Sequence, residues 1–166
     1  MSSGAPEKLD FDERFMSQAL VEAGKAHQSD EVPVGCVVVH EGQIIGRGYN
    51  RTENLNDPTA HAEILAITAA AGHLRSWRLT GCTLYCTLEP CVMCAGALVL
   101  ARVEKLVFGA RDPKFGGCVS LYSIVQDSRL NHRIALVTGV LEDDCARIMR
   151  EFFRNKRKED NNGIQV

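Results

Sequence analysis

Hydrophobic positions change period several times along the chain, and each change predicts an element. Phe11, Phe15, Ala19 and Ala23 recur at helical spacing. Asp12 and Glu13 fall in the opening turn of that helix, where the backbone dipole favours negative charge, so a start near Asp10 is expected. Residues 34–39 (VGCVVV) form an apolar run that predicts a strand buried on both faces. Glu41 and Gly42 suit a hairpin turn, and residues 43–49 then return antiparallel. Residues 50–59 are polar and contain Pro58, which predicts a loop.

Residues 61–72 (HAEILAITAAAG) predict a helix, 83–88 a strand ended by Pro90, 91–100 a second helix and 104–108 a strand. The glycine-containing stretch 109–117 predicts a functional loop. A short helix over 121–126, a fifth strand over 134–138 and a last helix over 142–158 complete the set. No repeat or linker interrupts residues 1–158, so they are expected to form one domain, with 159–166 a disordered tail. Helices alternating with short buried strands give an α/β layered fold, and the opening hairpin makes its sheet mixed.

The last helix has two unlike faces. Leu141, Cys145, Ile148 and Phe152 form an apolar stripe, while Arg147, Arg150, Arg154 and Arg157 point the other way. Lys156 and Lys158 lie nearby, Phe153 is at the border, and Glu151 is the one acid between 147 and 158. A core helix with a solvated face would explain the stripe. Arginines clustered beside an aromatic favour RNA phosphate contact and base stacking. Arg111 and Lys114 in the long loop are further phosphate candidates. The formal charge of -2 argues against a protein that coats nucleic acid over its whole surface.

The longest mainly apolar run, 91–101, is too short to cross a bilayer, and the first residues lack a signal-peptide pattern. A cytoplasmic location without membrane contact is expected. Seven cysteines, an odd number without an export signal, predict reduced thiols rather than disulfides. Cys36, Cys82, Cys86, Cys118 and Cys145 are expected to be small buried hydrophobes.

The remaining two cysteines carry chemistry. His-Ala-Glu at 61–63 is followed by Pro-Cys-Val-Met-Cys at 90–94. Zinc favours nitrogen and thiolate donors in a tetrahedron, and three protein donors leave the fourth position open, as in catalytic sites. Cys91 and Cys94 share a face at a predicted helix start, where thiol pKa values fall. His61 begins another helix, and Glu63 beside it is placed to move protons. A zinc-stabilised binding module without catalysis would need a fourth protein ligand. His27, His40, His73 and His132 are available only singly.

At these residues the chain resembles the zinc cytidine/adenosine deaminase superfamily, with its H-x-E and P-C-x-x-C signature. Within it the likeness is to bacterial-type tRNA adenosine deaminases. It extends through EVPVGCVVV (31–39), NDPTAHAEI (56–64), TLYCTLEPCVMCAGAL (83–98), VFGARDPK (107–114) and LNHR (130–133). The resemblance implies a three-layer α/β/α cytidine-deaminase-like fold with a five-stranded mixed sheet, a homodimer, and one zinc ion per subunit with no organic cofactor. It implies conversion of adenosine to inosine at the wobble position of a tRNA anticodon stem-loop. Glu63 would be the proton shuttle, Asn50 and Ala62 would contact the target nucleoside, and Asp112 would lie near the flanking backbone. Residues 115–118 (FGGC) depart from the family's usual run of small residues, which affects the substrate loop. A deaminase of free bases or nucleosides, such as guanine or cytidine, would share the zinc chemistry.

Overall fold

A computed structural model describes residues 6–163. Five strands form one sheet in the order β2-β1-β3-β4-β5. β1 (Gly35–His40) and β2 (Gln43–Tyr49) make the expected antiparallel hairpin. Glu41 and Gly42 between them have φ of 50° and 74°, the paired left-handed conformation of a tight hairpin turn. A bulge between Val38 and Val39 shifts the register. β1 also pairs antiparallel with β3 (Cys82–Leu88). β3, β4 (Lys105–Ala110) and β5 (Ala135–Thr138) run parallel, so the sheet is mixed.

Helices cover both faces. Val37, Val39, Tyr85 and Val107 pack with residues of α1 (Pro6–Gln28) and with Cys145 of α5 (Glu142–Asn162). Cys36, Val38, Leu84 and Leu106 pack on the other side with α3 (Ala62–Leu74) and α4 (Val92–Leu100). The architecture is therefore three-layer α/β/α. Both faces being buried explains why β1 reads as a continuous apolar run.

Two glycines on β2 decide how close α3 lies. A Cβ at Gly46 would come 2.4 Å from the Ala66 carbonyl oxygen, and one at Gly48 would come 2.3 Å from that of Ala62. Only glycine allows this approach. It fixes the start of α3 against the sheet.

Several boundaries differ from expectation. α1 starts at Pro6 rather than near Asp10, and proline suits a first helical position. The predicted loop 50–59 contains a short helix, α2 (Thr52–Leu55). The Glu31 carboxylate accepts hydrogen bonds from the Glu53 and Asn54 amides there, at 3.3 and 2.6 Å. Gly109 and Ala110 belong to β4, because Ala110 pairs with Leu88. The expected helix at 121–126 is a single 3-10 turn, Ile124–Gln126.

α5 continues to Asn162, so residues 159–162 are helical rather than part of a disordered tail. No glycine or proline interrupts it before Gly163, and Lys156 bridges to Asp30 (2.6 Å) and Glu159 (3.7 Å). Residues 164–166 lie outside the described residues. No helix among the described residues is long and apolar enough to cross a membrane.

Candidate active site

Two helix beginnings meet at one end of the sheet. His61 is the N-cap of α3 (φ -75°, ψ 153°), and Cys91 is the N-cap of α4 (φ -70°, ψ 176°). Neither side chain caps its own helix. Instead they turn toward each other. Cys91 Sγ lies 3.5 Å from His61 Nδ1, and Cys94 Sγ lies 3.6 Å from the same nitrogen. The three donor atoms all fall within 4.8 Å of one another.

These distances suit zinc. A tetrahedral ion with ordinary Zn–N and Zn–S bonds separates nitrogen from sulfur by about 3.6 Å. The donors' protonation points the same way. Cys91 is pushed down to about 4, first by the hydrogen bond from Cys94 and then by that from His61. Cys94 is pushed up by its partner Cys91 and by burial. A cation placed among the three donors would hold both sulfurs as thiolates. The positive ends of α3 and α4 add to that preference for thiolate. The cluster is thus compatible with a bound zinc ion.

Glu63, the second residue of α3, is 3% exposed. Burial pushes its carboxyl up, while neighbouring His61 opposes the shift. Cys94 Sγ donates to its Oε2 at 3.5 Å. A cavity of about 390 Å³ opens above, lined by Asn50, His61, Ala62, Glu63 and Asp112 among others. That volume is in the range of small-molecule sites. Val32, Val34 and Leu88 supply an apolar wall.

The expected site residues divide into two sets. Asn50, Ala62 and Asp112 come to the cavity with the metal cluster. Asp112 Oδ1 also accepts from the Lys114 and Phe115 amides, at 3.0 and 3.2 Å, and so shapes its own loop. Arg111 and Lys114 are exposed and outside the cavity lining. Arg150, Phe153 and Arg154 are exposed on α5, in the opposite helical layer, and do not line the cavity either.

Phe115 and Glu89 line the cavity without having been singled out as site residues. Each left a faint signal. Phe115 is a large aromatic within a glycine-rich loop, and Glu89 is an acid inside an apolar stretch.

The layered sheet and the cluster with its buried glutamate define the class of α/β/α deaminases. The chain belongs to the MafB19-like deaminase family, whose model matches residues 11–157. It is 49% identical over 157 residues to the tRNA-specific adenosine deaminase of Streptococcus pyogenes, covering 95% of this chain and 99% of the relative. Among solved structures it is similar to one described in work on A-to-I editing by tRNA:A34 deaminases at the wobble position of transfer RNA. That match has a TM-score of 0.79 and 46% identity, covering 81% of this chain and 98% of the other. The guanine deaminase of Nitrosomonas europaea shares the fold at a TM-score of 0.74 and 27% identity, covering 92% and 95%.

Proposed function

We propose that this protein hydrolytically deaminates adenosine to inosine at the wobble position of a tRNA anticodon stem-loop, as a homodimer with one zinc ion per subunit. The His61–Cys91–Cys94 cluster beside buried Glu63 carries the chemistry. Near-half identity along almost the whole length of a tRNA-specific adenosine deaminase supports the substrate. Guanine deaminase shares the fold at much lower identity, so free-base deamination has weaker support. A cluster of three protein donors argues against a purely structural zinc site.

His61, Cys91 and Cys94 hold the ion. When bound, zinc supplies Lewis acidity that makes a water nucleophilic near neutral pH. Glu63 accepts a proton from the attacking water and passes it to N1 of the purine. The oxygen bonds to C6. Glu63 then carries a second proton to the departing amine, the C6–N bond breaks, and ammonia leaves as C6 becomes a carbonyl. Adenosine and water thus become inosine and ammonia. Burial raises the proton affinity of Glu63, which suits it to take the proton from water. Val32, Val34 and Leu88 exclude bulk water, and Asn50 and Ala62 orient the base.

Outside the cavity, Arg111, Lys114, Arg150 and Arg154 offer phosphate contacts and Phe153 offers a stacking face; at its rim, the Asp112 loop meets the flanking backbone. Exposed Val92, Met93 and Leu100 on α4 supply an apolar surface for a second subunit. A cytoplasmic location follows from the substrate.

Zinc-loaded protein offered tRNA, adenosine, cytidine and guanine separately tests the function. Ammonia release fastest from tRNA, with inosine at the first anticodon position, is expected. Faster release from guanine or cytidine would replace the substrate.

A further inference from the structure

Glu89 immediately precedes Pro90-Cys91 and is 2% exposed, yet the chemistry above does not use it. Its Oε1 accepts hydrogen bonds from the Ser120 amide (3.1 Å) and the Ser120 hydroxyl (3.2 Å). Its Oε2 is buried without a hydrogen-bond partner. That oxygen lies against Gly116, where a Cβ would come 1.4 Å from it. A buried acceptor without a donor is unfavourable, and an apolar side chain would serve packing alone better.

The same two segments are tied further, with the Cys118 thiol donating to the Pro90 carbonyl at 3.9 Å. Gly116 forms an isolated β-bridge with Cys91, and the Gly117 amide donates to the Pro90 carbonyl at 2.8 Å. One segment carries Cys91 and Cys94. The other carries Asp112 and Phe115 to the cavity wall. Glu89 joins them through its side chain by accepting both hydrogen bonds from Ser120. It therefore couples the height of the wall to the floor of the site.

We infer that Glu89 is a positioning residue that latches the loop 112–120 over the cavity and so sets how tightly a polynucleotide is held. The loop's role in holding substrate rests on the proposed tRNA reaction; the latch itself does not. The Glu89 side chain makes its hydrogen bonds to Ser120 and none to Glu63 or the three metal donors among the described residues, so loosening the latch acts on KM before kcat. Glutamine keeps the acceptor and the shape, whereas alanine removes both.

Hydrogen exchange of the 112–120 amides, zinc content, and KM and kcat on an anticodon stem-loop are measured for the wild type, Glu89→Gln and Glu89→Ala. Exchange about tenfold faster in Glu89→Ala, with Glu89→Gln close to wild type, is expected. Zinc content stays unchanged, and KM rises about tenfold in Glu89→Ala with kcat within about threefold. Unchanged exchange in Glu89→Ala, equal damage by glutamine, or a fall in kcat at constant KM overturns the latch. Should Glu89→Ala not fold, Ser120→Ala removes one tie and is expected to speed exchange about threefold; no change there overturns it equally. Exchange is read without substrate. A wild-type protein inactive on tRNA therefore refutes the proposed reaction and leaves the latch to be decided by exchange.

Discussion

Glu63 is under two opposed demands. Burial favours its protonated form, while first a backbone hydrogen bond and then the charge of His61 favour the carboxylate. The raised proton affinity suits the carboxyl to take a proton, the first task of a shuttle. Replacing Glu63 with alanine leaves all three metal donors in place. We expect that variant to retain zinc by elemental analysis and to lose activity by about a hundredfold or more. Wild-type ammonia release from the zinc-loaded variant would remove Glu63 from the mechanism. The two motifs that carry the cluster, at 61–63 and 90–94, were legible in the sequence because each is local and opens a helix. Glu89 was not, because its partner Ser120 is 31 residues away and only the fold brings them together.

At the scale of elements, the site depends on how deeply α3 sits. Gly46 and Gly48 on β2 face Ala62, Ala66 and Ala70, so backbone meets backbone. Gly48→Ala would drive a methyl group into the first turn of α3, beside His61 and Glu63. We expect a loss of about 1–3 kcal/mol in urea denaturation together with weaker zinc affinity, because the helix start must move outward. Unaltered zinc affinity would show that the donors do not depend on this contact. Strands and long helices were readable because burial imposes a period on them. α2 was not, since its first amides are satisfied by Glu31, more than twenty residues earlier. The extension of α5 to Asn162 was hidden because residues 156–162 are all polar and carry no apolar period.

The whole molecule distributes its charge unevenly. Arg147 pairs with Asp144 and Lys156 with Asp30, which removes two cations from the basic face of α5. Arg150 and Arg154 form no such ion pair among the described residues and stay exposed, beside Phe153. α5 lies in the layer opposite α3 and α4, so an RNA reaching both surfaces must bend around the end of the sheet. Replacing Arg150 and Arg154 together with alanine should weaken stem-loop binding and reduce the slope of log affinity against log salt by about 1.5. Filter binding across a salt series reads this directly, and an unaltered slope would assign that face to solvent.

A grip shared between the starts of α3 and α4 comes into being only when the β3 strand between them is in place. An unfolded polypeptide has Cys91 and Cys94 near each other but His61 adrift, so it competes poorly for the ion. With zinc bound as proposed, each tenfold excess of the free ion over its dissociation constant would add about 1.4 kcal/mol to the folded form. Metal supply in the cell would thereby govern the lifetime of this protein as well as its turnover.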